Sequence, residues 1–259
     1  MGTPVAPSYA NLFMAALEEQ LLLNAPNGLI PFEWIRFIDD IFAIWPHGTN
    51  SLMTFFDYIN NFHPTIKFDY EYSETSVHFL DTTIFINDKR ELESDIYIKP
   101  TDKTLLLHNT SFHPNSCKRG IISSQALRYR RLITDNTKLQ QQLDKLRIIL
   151  NSRGYKNNVI NEAFNKALQY TQHDILHQEK LNNNTNIPLT FSIPYNTNTT
   201  HIGQILRRHW HVIENDPKLK ILWPDTPMIS YKRNKNIKDI LVQSKLKNTT
   251  DTTNEPIST

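Results

Sequence analysis

The sequence predicts an α+β fold in which an antiparallel sheet backed by helices is followed by an all-α bundle. Three observations carry that expectation. Between residues 34 and 100 apolar and polar side chains alternate in short runs separated by turn residues, the period-2 signal of half-buried strands. From 121 to 172 the period lengthens to that of a helix, with stop signals at Thr134-Asp135-Asn136 and at Gly154. The chain has 259 residues and a hydrophobic share of 39%, enough for one large domain or two small ones.

Taken in order, a Gly/Pro-rich loop over residues 1–7 feeds a helix from Ser8 to Leu21, with Ser8 as the expected N-cap and residues 9, 12, 13, 16 and 17 on one apolar face. A turn around Ala25-Pro26-Asn27-Gly28 precedes a hairpin over Trp34 to Trp45. Leu52, Phe55, Phe56 and Ile59 line one side of a helix from Thr49 to Asn61. Strands are expected at Thr65–Tyr72, Val77–Ile86 and Glu93–Pro100. Three helices follow, 121–134, 137–152 and 158–172, whose short connections suit a helix-turn-helix-like bundle. The Asn/Thr-rich stretch 181–200 reads as a linker with one strand at Leu189–Ile193, then a helix from His201 to Asn215 and a basic-aromatic strand over 229–235. The polar tail after Asn248 lacks the apolar content that folding requires.

The formal net charge of +2 hides an uneven distribution. Residues 1–100 carry fourteen acidic and five basic side chains, a net −9, whereas 118–156 carry ten basic and two acidic, a net +8. Residues 201–247 add a further +6. An acidic front and a basic rear suit a protein that holds cations in one place and a polyanion in another. In the rear half the phosphate-binding candidates are Lys118, Arg119, Arg128, Arg130 and Arg131, with solvated helix faces as the alternative. Arg207, Arg208, Trp210 and Tyr231 suit a nucleic-acid backbone with occasional stacking, or else the anchored core of a small subdomain.

The single cysteine, Cys117, excludes a disulfide framework and a Cys-rich zinc module. His108, His113 and Cys117 make a weak zinc signal, because structural zinc takes four ligands. No apolar run has membrane-spanning length, so an intracellular, nuclear protein without membrane attachment is expected.

The sharpest chemical signal is Asp39-Asp40 between Trp34-Ile35-Arg36-Phe37-Ile38 and Ile41-Phe42-Ala43-Ile44-Trp45. Two like charges between buried strands are costly unless a cation neutralises them. Mg²⁺ is the natural partner, since it binds one or two carboxylates together with substrate phosphates. A plain hairpin tip with Asp at turn positions is the alternative.

Several co-linear motifs extend that signal: residues 1–14, Arg36-Phe37-Ile38-Asp39-Asp40-Ile41-Phe42, Phe79-Leu80-Asp81, Tyr97-Ile98-Lys99-Pro100-Thr101-Asp102, Leu107-His108, Ser111-Phe112-His113-Pro114, Ala126-Leu127-Arg128-Tyr129-Arg130-Arg131, Arg153-Gly154-Tyr155 and Ile240-Leu241-Val242. Together they resemble the reverse transcriptase of Penelope-like retroelements over nearly the whole chain. The resemblance implies a partial right-hand polymerase palm at 1–106, a thumb-like, helix-turn-helix-like region at 107–180, a basic extension at 181–247 and a disordered tail at 248–259. It implies that Asp39 and Asp40 are catalytic and hold Mg²⁺ or Mn²⁺, with Phe37 where a tyrosine is more usual. It assigns template and nucleotide contacts to Gly2, Thr3, Pro4, Ala6, Asn11, Arg36 and Phe37, and primer support to Phe79, Leu80 and Asp81. The partners would be an RNA template and a DNA primer duplex.

Two departures matter. A two-metal polymerase needs a further palm aspartate, which together with the fingers would lie before Met1; the expectation is that Met1 is an internal methionine of a longer reading frame. The GIY-YIG endonuclease of many relatives is not seen in this sequence. The expected function is therefore a fragment of an RNA-directed DNA polymerase, with a catalytically inactive nucleic-acid-binding remnant as the alternative.

Overall fold

The computed structural model describes residues 3–26, 28–177 and 189–241, so Gly2, residues 181–188 of the expected linker and the 248–259 tail lie outside the described residues. The chain divides into two compact units, one of Met1–Asn109 with Gly120–Gln178 and one of Thr110–Arg119 with Glu179–Thr259.

The first unit opens with α1 (Ala6–Leu23), which starts two residues before the expected Ser8 cap. Pro7 explains the difference. Its fixed φ suits the first helical turn, where its missing N–H costs nothing, so the helix begins at Ala6 and Ser8 falls inside it. Strands β1 (Glu33–Phe37) and β2 (Asp40–Ile44) form the expected antiparallel hairpin, closed by the pair Phe37 and Asp40. Helix α2 (Thr49–Phe62) buries Phe55 and Ile59 against Leu21 of α1, with Trp34, Trp45, Tyr58 and Phe68 packed around them. The Tyr58 hydroxyl donates to the carbonyl of Leu21 at 2.9 Å, which keeps the polar end of a large ring satisfied at this core's edge.

The strand expected at Thr65–Tyr72 is absent. The side-chain amide of Asn60 takes up both backbone groups of Phe68, donating to its carbonyl at 3.1 Å and accepting from its N–H at 2.6 Å. A side chain has thus replaced a neighbouring strand as hydrogen-bond partner, so the apolar alternation persists without a ladder. The three-stranded antiparallel sheet uses β3 (Ser76–Phe79), β4 (Thr82–Ile86) and β5 (Leu92–Ile96) in that order. Residues 77–86 therefore form a hairpin with its turn at Leu80-Asp81, where a single strand had been expected.

Helices α3 (Asn115–Leu132), α4 (Asn136–Ser152) and α5 (Asn157–Leu168) make the bundle. Asp135 caps α4 by accepting from the N–H of Lys138 at 2.7 Å. Gly154, at φ +79°, ends it in a conformation that a side chain with a Cβ adopts at a cost. Ile122, Ala126, Tyr129 and Ile133 of the first helix region meet Leu139, Leu143, Leu146 and Leu150 of α4 and Ile160, Phe164 and Ala167 of α5 in one continuous core. The last helix stops at Leu168, and the short α6 (Gln172–Leu176) starts anew behind a Thr171–Asp174 capping box.

The bundle is fastened to the sheet. Ser94 of β5 donates its hydroxyl to the Leu132 carbonyl at 2.7 Å, and the N–H of Thr134 donates back to the Ser94 carbonyl at 3.0 Å. Lys138 of α4 reaches Glu93 at 3.4 Å while lying over the Phe85 ring at 3.8 Å.

In the second unit β6 (Thr190–Pro194) pairs in parallel with β7 (Met228–Lys232). A 3₁₀ turn at Thr197–His201 leads into α7 (Ile202–His209), followed by α8 (His211–Glu214), α9 (Pro217–Leu222) and α10 (Ile237–Leu241). The break between α7 and α8 falls at Trp210, which is 5% exposed and so offers no stacking face.

Candidate functional site

The acidic pair sits on a two-residue turn. Ile38 and Asp39 form its tip, Asp40 opens β2, and all three are exposed. Ile38 has φ +59°, a left-handed value that β-branched residues rarely adopt. The turn at Leu80-Asp81 repeats the pattern: Phe-aliphatic-Asp again, with the aliphatic residue at φ +55°. Phe42 and Phe79, one from each hairpin, pack with ring centroids 5.7 Å apart.

What holds the first turn in its strained shape is Arg36. Its Nε donates to Glu18 Oε1 at 2.8 Å, and Nη1 donates to Ile38 O at 3.0 Å and to Asn11 Oδ1 at 3.1 Å. The same Glu18 oxygen accepts from Trp34 Nε1 at 3.2 Å. Only 12% and 13% of the Arg36 and Glu18 side chains are exposed, so this ion pair is shielded from water. Arg36 and Asn11, both expected to touch template or nucleotide, are thus bonded to one another, and Arg36 is bonded to the turn as well. Their geometry makes them braces of the acidic tip. Glu18 was not singled out from the sequence.

The carboxylates of Asp39 and Asp40 have no hydrogen-bond or ion-pair partner among the described residues. Adjacent, exposed and uncommitted oxygens are the donor set that Mg²⁺ accepts, with water and phosphate completing its octahedron. Among the described residues no group of three or more His, Cys, Asp or Glu comes together, and His108, His113 and Cys117 are included in that statement.

Thr3, Pro4 and Ala6 lie exposed at the start of α1, and Phe37 is 54% exposed beside the acidic tip. Phe79 is half-buried and Leu80 exposed on the second hairpin. Asp81 accepts from Arg128 Nε at 2.9 Å and Nη2 at 2.5 Å, which ties that turn to α3.

The basic residues separate into roles that the sequence did not distinguish. Arg130 is only 8% exposed; it donates to the Tyr170 carbonyl at 2.8 Å and to Asn136 Oδ1 at 3.2 Å, so its guanidinium closes the bundle and faces no solvent. Arg128 serves the Asp81 turn, with its side chain still 40% exposed. Arg131 stays exposed, as does Arg119, while Lys118 is half-buried; the last two belong to the stretch of α3 that counts with the second unit. Lys145, Lys156 and Lys166 are exposed and form no ion pair among the described residues. The alternating exposure of α5, with Asn158, Asn161 and Asn165 outward and Ile160, Phe164 and Ala167 inward, was present in the sequence as an i, i+3, i+7 amide stripe.

None of the described helices is long and apolar enough to cross a membrane. No curated protein and no solved structure matches the chain. Residues 105–165, spanning α3, α4 and most of α5, match the animal helix-turn-helix domain, so the chain carries a helix-turn-helix, DNA-binding-like domain.

Proposed function

We propose that the chain is part of a reverse transcriptase like those of Penelope-like retroelements, an RNA-directed DNA polymerase extending a DNA primer on an RNA template. One observation carries the reading: an exposed Asp39–Asp40 tip, uncommitted among the described residues, is braced from behind by Arg36 in the same compact unit as α4 and α5, the helices that make up most of the helix-turn-helix match. Asp39 would hold Mg²⁺, or Mn²⁺ in its place, with Asp40 assisting. When bound, the ion supplies charge neutralisation at the reacting phosphates. Arg36 fixes the tip by donating to the Ile38 carbonyl. Phe37 offers an exposed ring to the primer end. The Leu80-Asp81 turn, held by Arg128, supports the primer strand. The exposed Arg131, Lys145, Lys156 and Lys166 supply backbone affinity for the duplex.

A nucleic-acid binder without polymerase chemistry is the second reading. It is favoured by the absence, among the described residues, of a third carboxylate beside Asp39 and Asp40, since a two-metal clamp uses one more. Primer extension on an RNA template with Mg²⁺ separates the two. Incorporation that disappears in Asp39→Asn establishes the polymerase. Salt-dependent duplex binding without incorporation, in wild type and variant alike, establishes the binder.

A further inference from the structure

We infer that α5 is the base-reading helix of the helix-turn-helix domain, and that Asn158, Asn161 and Asn165 read adenine in the major groove of duplex DNA. The inference rests on the nucleic-acid reading of the domain and is independent of polymerase chemistry.

Residues three and seven apart on a helix share one face, so these three asparagines form a stripe. All three are exposed, and the opposite side of α5 is consumed by the core through Ile160, Ala163, Phe164 and Ala167. Asparagine is a mediocre helix former, and a purely solvated face is better served by Lys and Glu. A carboxamide is instead the group that matches adenine, accepting from N6 and donating to N7. In Asn161 the side-chain oxygen accepts from Arg147, which orients the amide and leaves its NH₂ free to donate. The Asn158 oxygen accepts from the N–H of Val159 at 2.9 Å, with the same consequence. Asn165 has no side-chain hydrogen-bond partner among the described residues.

The charges beside the stripe complement a duplex. Lys156 at the entrance of α5 and Lys166 near its end are exposed and form no ion pair among the described residues, placed to meet phosphates on either side of a groove. Glu162 is the one acid on this face, and a carboxylate accepts from cytosine N4. The other exposed helix, α4, offers Gln141 and Lys145 but sets them beside the exposed Ile148 and an Asp144 that binds both Arg147 and Gln140, so no amide stripe flanked by cations forms there. The partner is DNA because a helix fits the wide major groove of B-form DNA and is kept out of the deep, narrow one of A-form RNA.

The test uses the full chain and fluorescence anisotropy with three duplexes of equal length: alternating A·T, the same with 7-deazaadenine, which lacks only the N7 acceptor, and alternating G·C. Wild type should bind the A·T duplex roughly tenfold more tightly than either other. The triple variant Asn158→Ala, Asn161→Ala, Asn165→Ala should bind all three alike, with its salt dependence and helical circular dichroism intact. Changing Lys156 and Lys166 to Ala should instead weaken all three equally and lower the salt slope by about 2. Equal wild-type affinity for the three duplexes overturns base reading by α5 and leaves the domain a backbone binder. Failure to bind any duplex overturns the nucleic-acid reading itself.

Discussion

Arg36 shows how one side chain can carry a site without belonging to its chemistry. It forms a shielded ion pair with Glu18 and also donates to the carbonyl of Ile38, whose φ of +59° would otherwise relax. Removing one partner of a shielded pair leaves the other charged and desolvated, which costs more than the pair itself contributes. Arg36→Ala should therefore lower unfolding stability by about 3 kcal/mol in urea titration, and Arg36→Lys should recover only part, because an ammonium cannot serve Glu18, Asn11 and Ile38 together. Glu18→Gln should cost less, since its oxygen still accepts from Trp34. If Arg36→Ala were neutral, the staple would be ornamental. The sequence made Asp39 and Asp40 legible because adjacent charges in an apolar run are conspicuous. It did not separate Arg36, Arg128 and Arg130 from free cations, because pairing with Glu18, Asp81 or the Tyr170 carbonyl depends on contacts eighteen to forty-seven residues away.

Among the elements, those with strong local signals stand where the sequence put them. The hairpin, α2, α4 with its Asp135 cap and the Gly154 stop all have causes within a few residues. The strand expected at 65–72 failed because a side chain, Asn60, took the backbone groups of Phe68, a pairing that the alternation of apolar residues does not reveal. The bundle carries a pH consequence. Burial raises the hydroxyl pKa of Tyr129 above its ordinary 10.0; Arg128 pulls the other way and Asp102 adds to the rise. Tyr155 is raised by burial too, with its hydroxyl donating to the Leu107 carbonyl at 2.9 Å. A group whose folded pKa is raised keeps its proton in the native state after the unfolded chain has released it. Its stabilising contribution is therefore full below the unfolded value and is lost as pH climbs through the folded one. Thermal midpoints should hold up to about pH 10 and fall above it, and Tyr129→Phe should make that alkaline fall shallower, since Tyr155 still contributes to it. A decline no different in Tyr129→Phe would assign it to other groups.

At the scale of the first unit, two cores of unequal depth share one body. The bundle's core contains buried residues from β5 and from α3 through α5, including Ile122, Leu150 and Ile160 with no exposed surface. The core behind the acidic hairpin rests on Leu21, Phe55 and Ile59, with a wide ring of half-buried aromatics around them. Opening free energy follows buried apolar contact, so a compact unit of this kind opens first where the core is shallow. The hairpin also stands in a sheet of only two strands, and such a ribbon gains little stability of its own. Hydrogen exchange on the intact chain should then show the amides of α4 among the slowest and those of β1 and β2 exchanging well before them. The strands β3 to β5 should fall between, because Ser94, Glu93 and Asp81 fasten their sheet to the helices through Thr134, Lys138 and Arg128. Replacing Ser94 with Val removes the hydroxyl bond to Leu132 and should speed exchange in β5 while leaving α4 slow. Equal protection of the hairpin and α4 would mean that the unit opens all at once, and the acidic tip would then be as rigid as the bundle. A faster hairpin would mean that β1 and β2 open while the helix-turn-helix bundle stays closed.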